Sequence, residues 1–169
     1  MSDEGDRGYP YVMDVPTRWN DNDVYGHVNN TVHYAAMDTV INAWMIGQGA
    51  LDIGEGDTIG LCVESGCRYL APMEYPDTMR VGLRAAKVGT SSIVWETAID
   101  RASDGERVAE GRFVHVFVDR ATRRPAPLTG PARRPAGRPD PAGPRVRRIV
   151  DLTRPGPAGH RGRRDRGRH

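Results

Sequence analysis

One stretch constrains this sequence more than any other. Val28, Val32, Ala36, Val40 and Trp44 recur at intervals of four, and Met37, Ile41 and Met45 form the row beside them. Residues three and four apart share a helix face, so the spacing predicts an amphipathic helix of about five turns, ended by Gly47 and Gly49. A helix with so wide an apolar stripe must lie against a second layer. The remaining segments supply one, because they read as strands: Tyr11–Trp19 before the helix, then Thr58–Leu70, Thr78–Val88, Ser91–Ala102 and Arg107–Asp119 after it. Pro72 and Pro76 bracket a bend, Gly89-Thr90 makes a turn, and Asp104-Gly105 is a hairpin signal. Ile93, Trp95, Thr97 and Ile99 share one face of their strand. In the last strand Ala109, Gly111, Phe113, His115 and Phe117 face one way and Val114, Val116 and Val118 the other, which predicts a place inside the sheet. Trp19, Trp44 and Trp95 all occupy positions compatible with a core. The expected class is α+β: a long central helix wrapped by an antiparallel five-stranded sheet.

Charge divides the chain. Residues 1–120 carry 10 Lys and Arg against 19 Asp and Glu, a net −9, whereas residues 121–169 carry 14 Arg against 3 Asp, a net +11. Those last 49 residues also hold 9 of the 13 prolines and few large apolar groups. Such a text cannot bury enough surface to offset the entropy of ordering it. The expected organisation is therefore a flexible N-terminus (1–8), a folded domain (9–120) and a disordered Arg/Pro/Gly-rich tail (121–169), with at best a short ordered piece near Arg145–Leu152. The tail has no aromatic residue on which a base could stack, so nucleic acid is not an expected partner. No apolar run spans a bilayer, and MSDEGDRGYP lacks the features of a signal peptide. Cys62 and Cys67, the only cysteines, are an odd number of residues apart, which predicts opposite faces of one strand and no bridge. A soluble, reduced, cytoplasmic protein is expected.

The chemistry concentrates in Arg18-Trp19-Asn20-Asp21-Asn22-Asp23-Val24-Tyr25-Gly26-His27-Val28-Asn29-Asn30. This loop carries two carboxylates, an imidazole and several amides into the start of a buried helix. A helix N-terminus offers unpaired N–H groups and a positive dipole end, which can hold an oxyanion. A carboxylate beside them can act as base or nucleophile. The same residues also suit a purely structural loop, with Asn29 or Asn30 as the helix cap. Asp21, Asp23 and His27 match no firm metal-binding spacing, and no metal is expected.

The pattern W-x-D-x-D-x-x-G-H-V-N-N, followed by Tyr34 and the amphipathic helix, resembles the 4-hydroxybenzoyl-CoA thioesterase family of hotdog-fold proteins. Cys67-Arg68-Tyr69-Leu70-Ala71-Pro72 with Tyr75-Pro76-Asp77 looks like that family's second strand and bend, and Phe113–Asp119 like its last strand. The resemblance covers about residues 11–128. It implies an acyl-CoA substrate, no cofactor beyond the coenzyme A of that substrate, and a homodimer or homotetramer with each site at a subunit interface. Asp23 matches the family's active carboxylate, as general base or nucleophile, and Asn30 the position whose backbone N–H polarises the thioester carbonyl. Gly26 permits the tight loop, while His27, Asn29 and Asp21 hold it. Gly89, Thr90 and Ser91 sit where relatives contact coenzyme A, although this hairpin lacks the basic cluster that some of them place against the phosphates. Tyr34 and His33 fall at substrate-lining positions. His33 replaces a tyrosine common in relatives, and reads either as part of the acyl pocket or as a partly exposed helix histidine.

Three functions are then in play. The first is hydrolysis of an acyl-CoA thioester. The second is non-catalytic acyl-CoA binding, as a sensor or carrier, against which the intact Asp23 argues. The third is dehydration of a 3-hydroxyacyl thioester, which this loop fits poorly.

Overall fold

A computed structural model describes residues 8–133. Five strands, β1 (Tyr11–Pro16), β2 (Thr58–Tyr69), β3 (Thr78–Val88), β4 (Ser92–Arg101) and β5 (Arg107–Asp119), and the helix α1 (Asn30–Gly47) form the domain. The strands make one curved antiparallel sheet in the order β1-β3-β4-β5-β2, so β5 lies inside it as its two-sided apolar pattern requires. Alternation sets the faces. Met79, Val81 and Leu83 of β3, Ile93, Trp95 and Ile99 of β4, and Ala109, Phe113 and Phe117 of β5 are buried, together with Met37, Val40, Ile41, Trp44 and Met45 of α1. Trp44 meets Trp95 edge-on, ring centroids 5.3 Å apart.

Three expectations change. Trp19 is 83% exposed, touching only the edge of Tyr75, because it precedes the helix in a short 3₁₀ turn (Trp19–Asp21) that lies outside the core. Cys62 and Cys67 share a face: Cys62 pairs with His115 and Glu64 with Val114, so a bulge at Val63 absorbs one residue and restores the parity. The two free thiols still stand four register steps apart, about 13 Å along the strand, which no disulfide spans. Finally, the folded unit passes the expected boundary at residue 120. Ala126 N donates to Phe117 O at 2.9 Å, Leu128 N to Thr90 O at 2.7 Å, and Leu128 and Ala132 are buried against the core. These few apolar groups are enough to fasten residues 121–133 because they land on the open end of β5. The segment Arg145–Leu152 and the N-terminal residues 1–7 lie outside the described residues.

Candidate active site

The loop after β1 is built almost wholly by its own hydrogen bonds. Thr17 clamps it to the bend: its N–H and hydroxyl donate to Asp77 O (2.9 and 2.7 Å), and the hydroxyl accepts from Asp77 N (3.0 Å). Asp21, 3% exposed, is the buried carboxylate of the pair. Its oxygens accept from Arg18 N (2.7 Å), Nε (3.0 Å) and Nη2 (2.8 Å), and its backbone oxygen accepts from Asn29 N (2.8 Å), closing the loop. Burial pushes the Asp21 carboxyl up, but the bonds from Arg18 outweigh it and hold the group below the usual carboxylate range. Asp21 is thereby fully occupied. Asn22 Oδ1 accepts from Tyr75 N (3.0 Å), and Val28 N donates to Met73 O (2.7 Å), which seats the loop on the bend.

Asp23 stands on a tight turn. Its N–H donates to His27 O (2.8 Å), Gly26 N donates back to its carbonyl (3.1 Å), and Gly26 takes φ +85°, a conformation costly for any residue with a Cβ. The half-buried Asp23 carboxylate accepts one bond, from Tyr25 N (2.8 Å). His27 is exposed, its Nε2 3.9 Å from Glu74.

The helix start is equally defined. Asn29 is the N-cap: its Oδ1 accepts from Thr31 N (2.9 Å) and Thr31 Oγ1 (2.8 Å), and its backbone oxygen from Val32 N (2.9 Å). Among the described residues the Asn30 N–H donates to no protein atom, so of the amides at 30–32 it alone is left open. Asn30 and Asp23 line one cavity of about 420 Å³, with His27, His33, Tyr69 and Met73 in its walls.

Tyr69 carries a signal the sequence reading missed. Its hydroxyl donates to Asn30 O (3.2 Å), tying edge strand β2 to the first turn of α1. Burial, with the nearby Cys67, pushes the phenol up to about 12, so it remains a donor at neutral pH. The stretch around Tyr69 is recognisable as strand and bend, but its approach to the helix is a long-range contact that no local pattern encodes. Two expected substrate-lining groups are not in this cavity. Tyr34 turns to the sheet and meets Phe113 edge-on at 5.9 Å. The hairpin Gly89-Thr90-Ser91 is at the far end of β3 from the loop, the whole eleven-residue strand lying between them, and its carbonyls hold Phe117 and Leu128. A single chain therefore does not bring it to Asp23.

A second cleft, of about 510 Å³, lies on the outer face of the sheet. Its arginines are each matched by a carboxylate (Arg84 with Glu96, Arg112 with Glu64, Arg68 with Glu110). That places Glu64 on the outer face, in an ion pair. Among the described residues no group of three or more His, Cys, Asp and Glu is gathered to hold a metal ion, and no helix is long and apolar enough to cross a membrane.

The two buried histidines give a pH prediction. Burial holds both His33 and His115 below the ordinary imidazole value. The unfolded chain binds protons as pH falls through about 6.5, whereas the folded chain resists them. The stability these neutral rings contribute is thus present above that pH and lost below it. Tm measured from pH 7.5 down to 5.5 is expected to fall, and a flat profile would contradict the burial.

A long helix wrapped by a curved antiparallel five-stranded sheet defines the hotdog class. The sequence profile of the thioesterase-like superfamily matches residues 17–134, and the chain belongs to that superfamily. Among solved structures it is similar to the PA5185 protein of Pseudomonas aeruginosa strain PAO1, with 46% identity over 74% of this chain and 87% of that one and a TM-score of 0.71. It is also similar to a thioesterase of Thermus thermophilus solved with coenzyme A and Zn (30% identity, 75% and 92% covered, TM-score 0.63). The 1,4-dihydroxy-2-naphthoyl-CoA thioesterase Slr0204 of Synechocystis shares the fold at 20% identity (72% and 90% covered, TM-score 0.65). No curated protein matches the sequence.

Proposed function

We propose that the protein is an acyl-CoA thioesterase of the 4-hydroxybenzoyl-CoA thioesterase type, hydrolysing a thioester to a free acid and coenzyme A. One observation carries this reading: the amide that the helix start leaves open, at Asn30, shares a cavity with the Asp23 carboxylate. With a thioester carbonyl against that amide, Asp23 either takes a proton from an attacking water or attacks the carbon itself. The oxyanion that forms is held by the Asn30 N–H, and the C–S bond breaks to release the thiolate of coenzyme A. With Asp23 as base, the thiolate takes up the proton drawn from water. With Asp23 as nucleophile, the acyl-Asp23 anhydride left behind is hydrolysed by a water, which frees the acid, returns the carboxylate and supplies the proton. A donor aimed at a developing oxyanion contributes about 10²–10³-fold in comparable sites. Asp21, Gly26, His27 and Asn29 act as supports.

The site is completed by a second copy of the chain in a homodimer or homotetramer. Edge strand β2 is unpaired on one side among the described residues and exposes Leu61 and Val63, while Val24 and Tyr25, beside Asp23, are 93% and 82% exposed. A second copy would also be the source of the Gly89–Ser91 hairpin for the coenzyme A end of the substrate. The free thiols suit a reducing cytoplasm.

Thiol release from short, long, branched and aromatic acyl-CoAs, with calorimetry on the same ligands, tests the reading. Turnover of at least one class is expected. Tight binding without thiol release would favour a sensor or carrier instead.

A further inference from the structure

We infer that His33 is a positioning residue that orients and polarises the Asn30 N–H by donating to the other end of the same peptide group. The inference rests on the thioesterase reading. His33 Nδ1 lies 3.2 Å from the backbone oxygen of Asn29. A carbonyl oxygen can only accept, so Nδ1 carries the proton and Nε2 the lone pair. The Asn29 carbonyl and the Asn30 N–H belong to one planar, conjugated peptide unit. A donor on the oxygen draws charge from the nitrogen and strengthens the N–H as a donor, by about 10–30% per bond in a connected chain. The imidazole, Asn29 C=O, Asn30 N–H and the substrate oxygen would then form one line of hydrogen bonds.

The surroundings hold the ring in that role. His33 is only 4% exposed, in the wall of the cavity that contains Asp23. The Tyr69 ring stands edge-on to it, centroids 5.4 Å apart and planes at 85°, and the Tyr69 hydroxyl is itself fixed to Asn30 O. The imidazole is wedged between strand β2 and the helix start and keeps its hydrogen bond. Its burial also favours the neutral ring at pH 7.

A purely structural tie between the ring and the helix start would use the same bond, and the two roles differ in what they alter. His33→Asn and His33→Leu have nearly the same size, but only Asn keeps an N–H close to the position of Nδ1. In the full-length protein, His33→Leu is expected to lower kcat about five- to tenfold with KM within about twofold, the scale of one hydrogen bond, and His33→Asn to keep most of kcat. The Asn30 amide proton, followed by NMR, is expected to move upfield in His33→Leu and to return towards its position in His33→Asn. His33→Phe replaces His33→Leu should the latter not fold. Equal kcat in the Asn and Leu variants, or an unmoved Asn30 amide, would overturn the role of His33. Absence of thiol release by the wild type would instead overturn the thioesterase reading, and the amide shift would still decide whether His33 acts on that peptide.

Discussion

Replacing Gly111 by valine is expected to cost about 3 kcal/mol of stability, at the upper end of the overpacking range, and to lower Tm by roughly 10 °C. Gly111 is buried on the helix-facing side of β5, opposite Thr97 of β4. A Cβ built there would lie 2.5 Å from Thr97 Oγ1 and would overlap Met37 Sδ. Thr97 is fixed by its strand register, and Met37 is wholly buried under the helix, so neither has free space to move into. The glycine lets α1 sit directly on the sheet, and Met37 lies one turn along the same helix from His33. Displacing it should therefore also move the first turn and reduce turnover. Gly66 on β2 provides the control, because nothing lies within 4 Å of a Cβ there; Gly66→Val should change Tm by little. Equal Tm for the Gly111 variant and wild type, measured by calorimetry, would show that the helix is not seated through this contact.

The fold was legible because its signals are local and repeated. The four-residue recurrence from Val32 to Trp44 marks α1, two-residue alternation marks Ile93 to Ile99 and Ala109 to Phe117, and turns such as Asp104-Gly105 separate the strands. The candidate site loop was legible for a different reason: the hydrogen bonds that build it join residues two to eight apart, so Asp21, Asp23, Gly26, His27 and Asn29 stand in one segment. What escaped depends on contacts between distant segments or on one-residue irregularities. The bulge at Val63 reverses the side of every residue before it, and nothing in Leu61-Cys62-Val63-Glu64 announces it. His33 and Tyr34 are neighbours in sequence, but a helix turns about 100° per residue, so one reaches the cavity and the other Phe113. Burial of His33 is supplied by Tyr69, 36 residues later. The seating of Leu128 beneath a proline-rich stretch likewise depends on where β5 ends, and composition alone points the other way.

The largest expected effect on activity comes from Asp23→Asn. The substitution keeps the size of the side chain and an oxygen able to accept from Tyr25 N, so the turn from Asp23 to His27 should be preserved. It removes the negative charge, and with it both the base that would take a proton from water and the nucleophile that would attack the carbonyl. Loss of a general base lowers rate by about 10²–10⁴-fold, and loss of a nucleophile by no less. The neighbouring Asp21 cannot substitute, because its carboxylate is buried and held by Arg18. Binding should suffer far less, since the Asn30 amide and the walls of the cavity are unchanged. The decisive measurement is kcat for thiol release by full-length wild type and Asp23→Asn, on the acyl-CoA the wild type turns over best, with Tm of both recorded. The account predicts at least a hundredfold fall in kcat at matched Tm; equal turnover by the two proteins would remove Asp23 from the chemistry and contradict it.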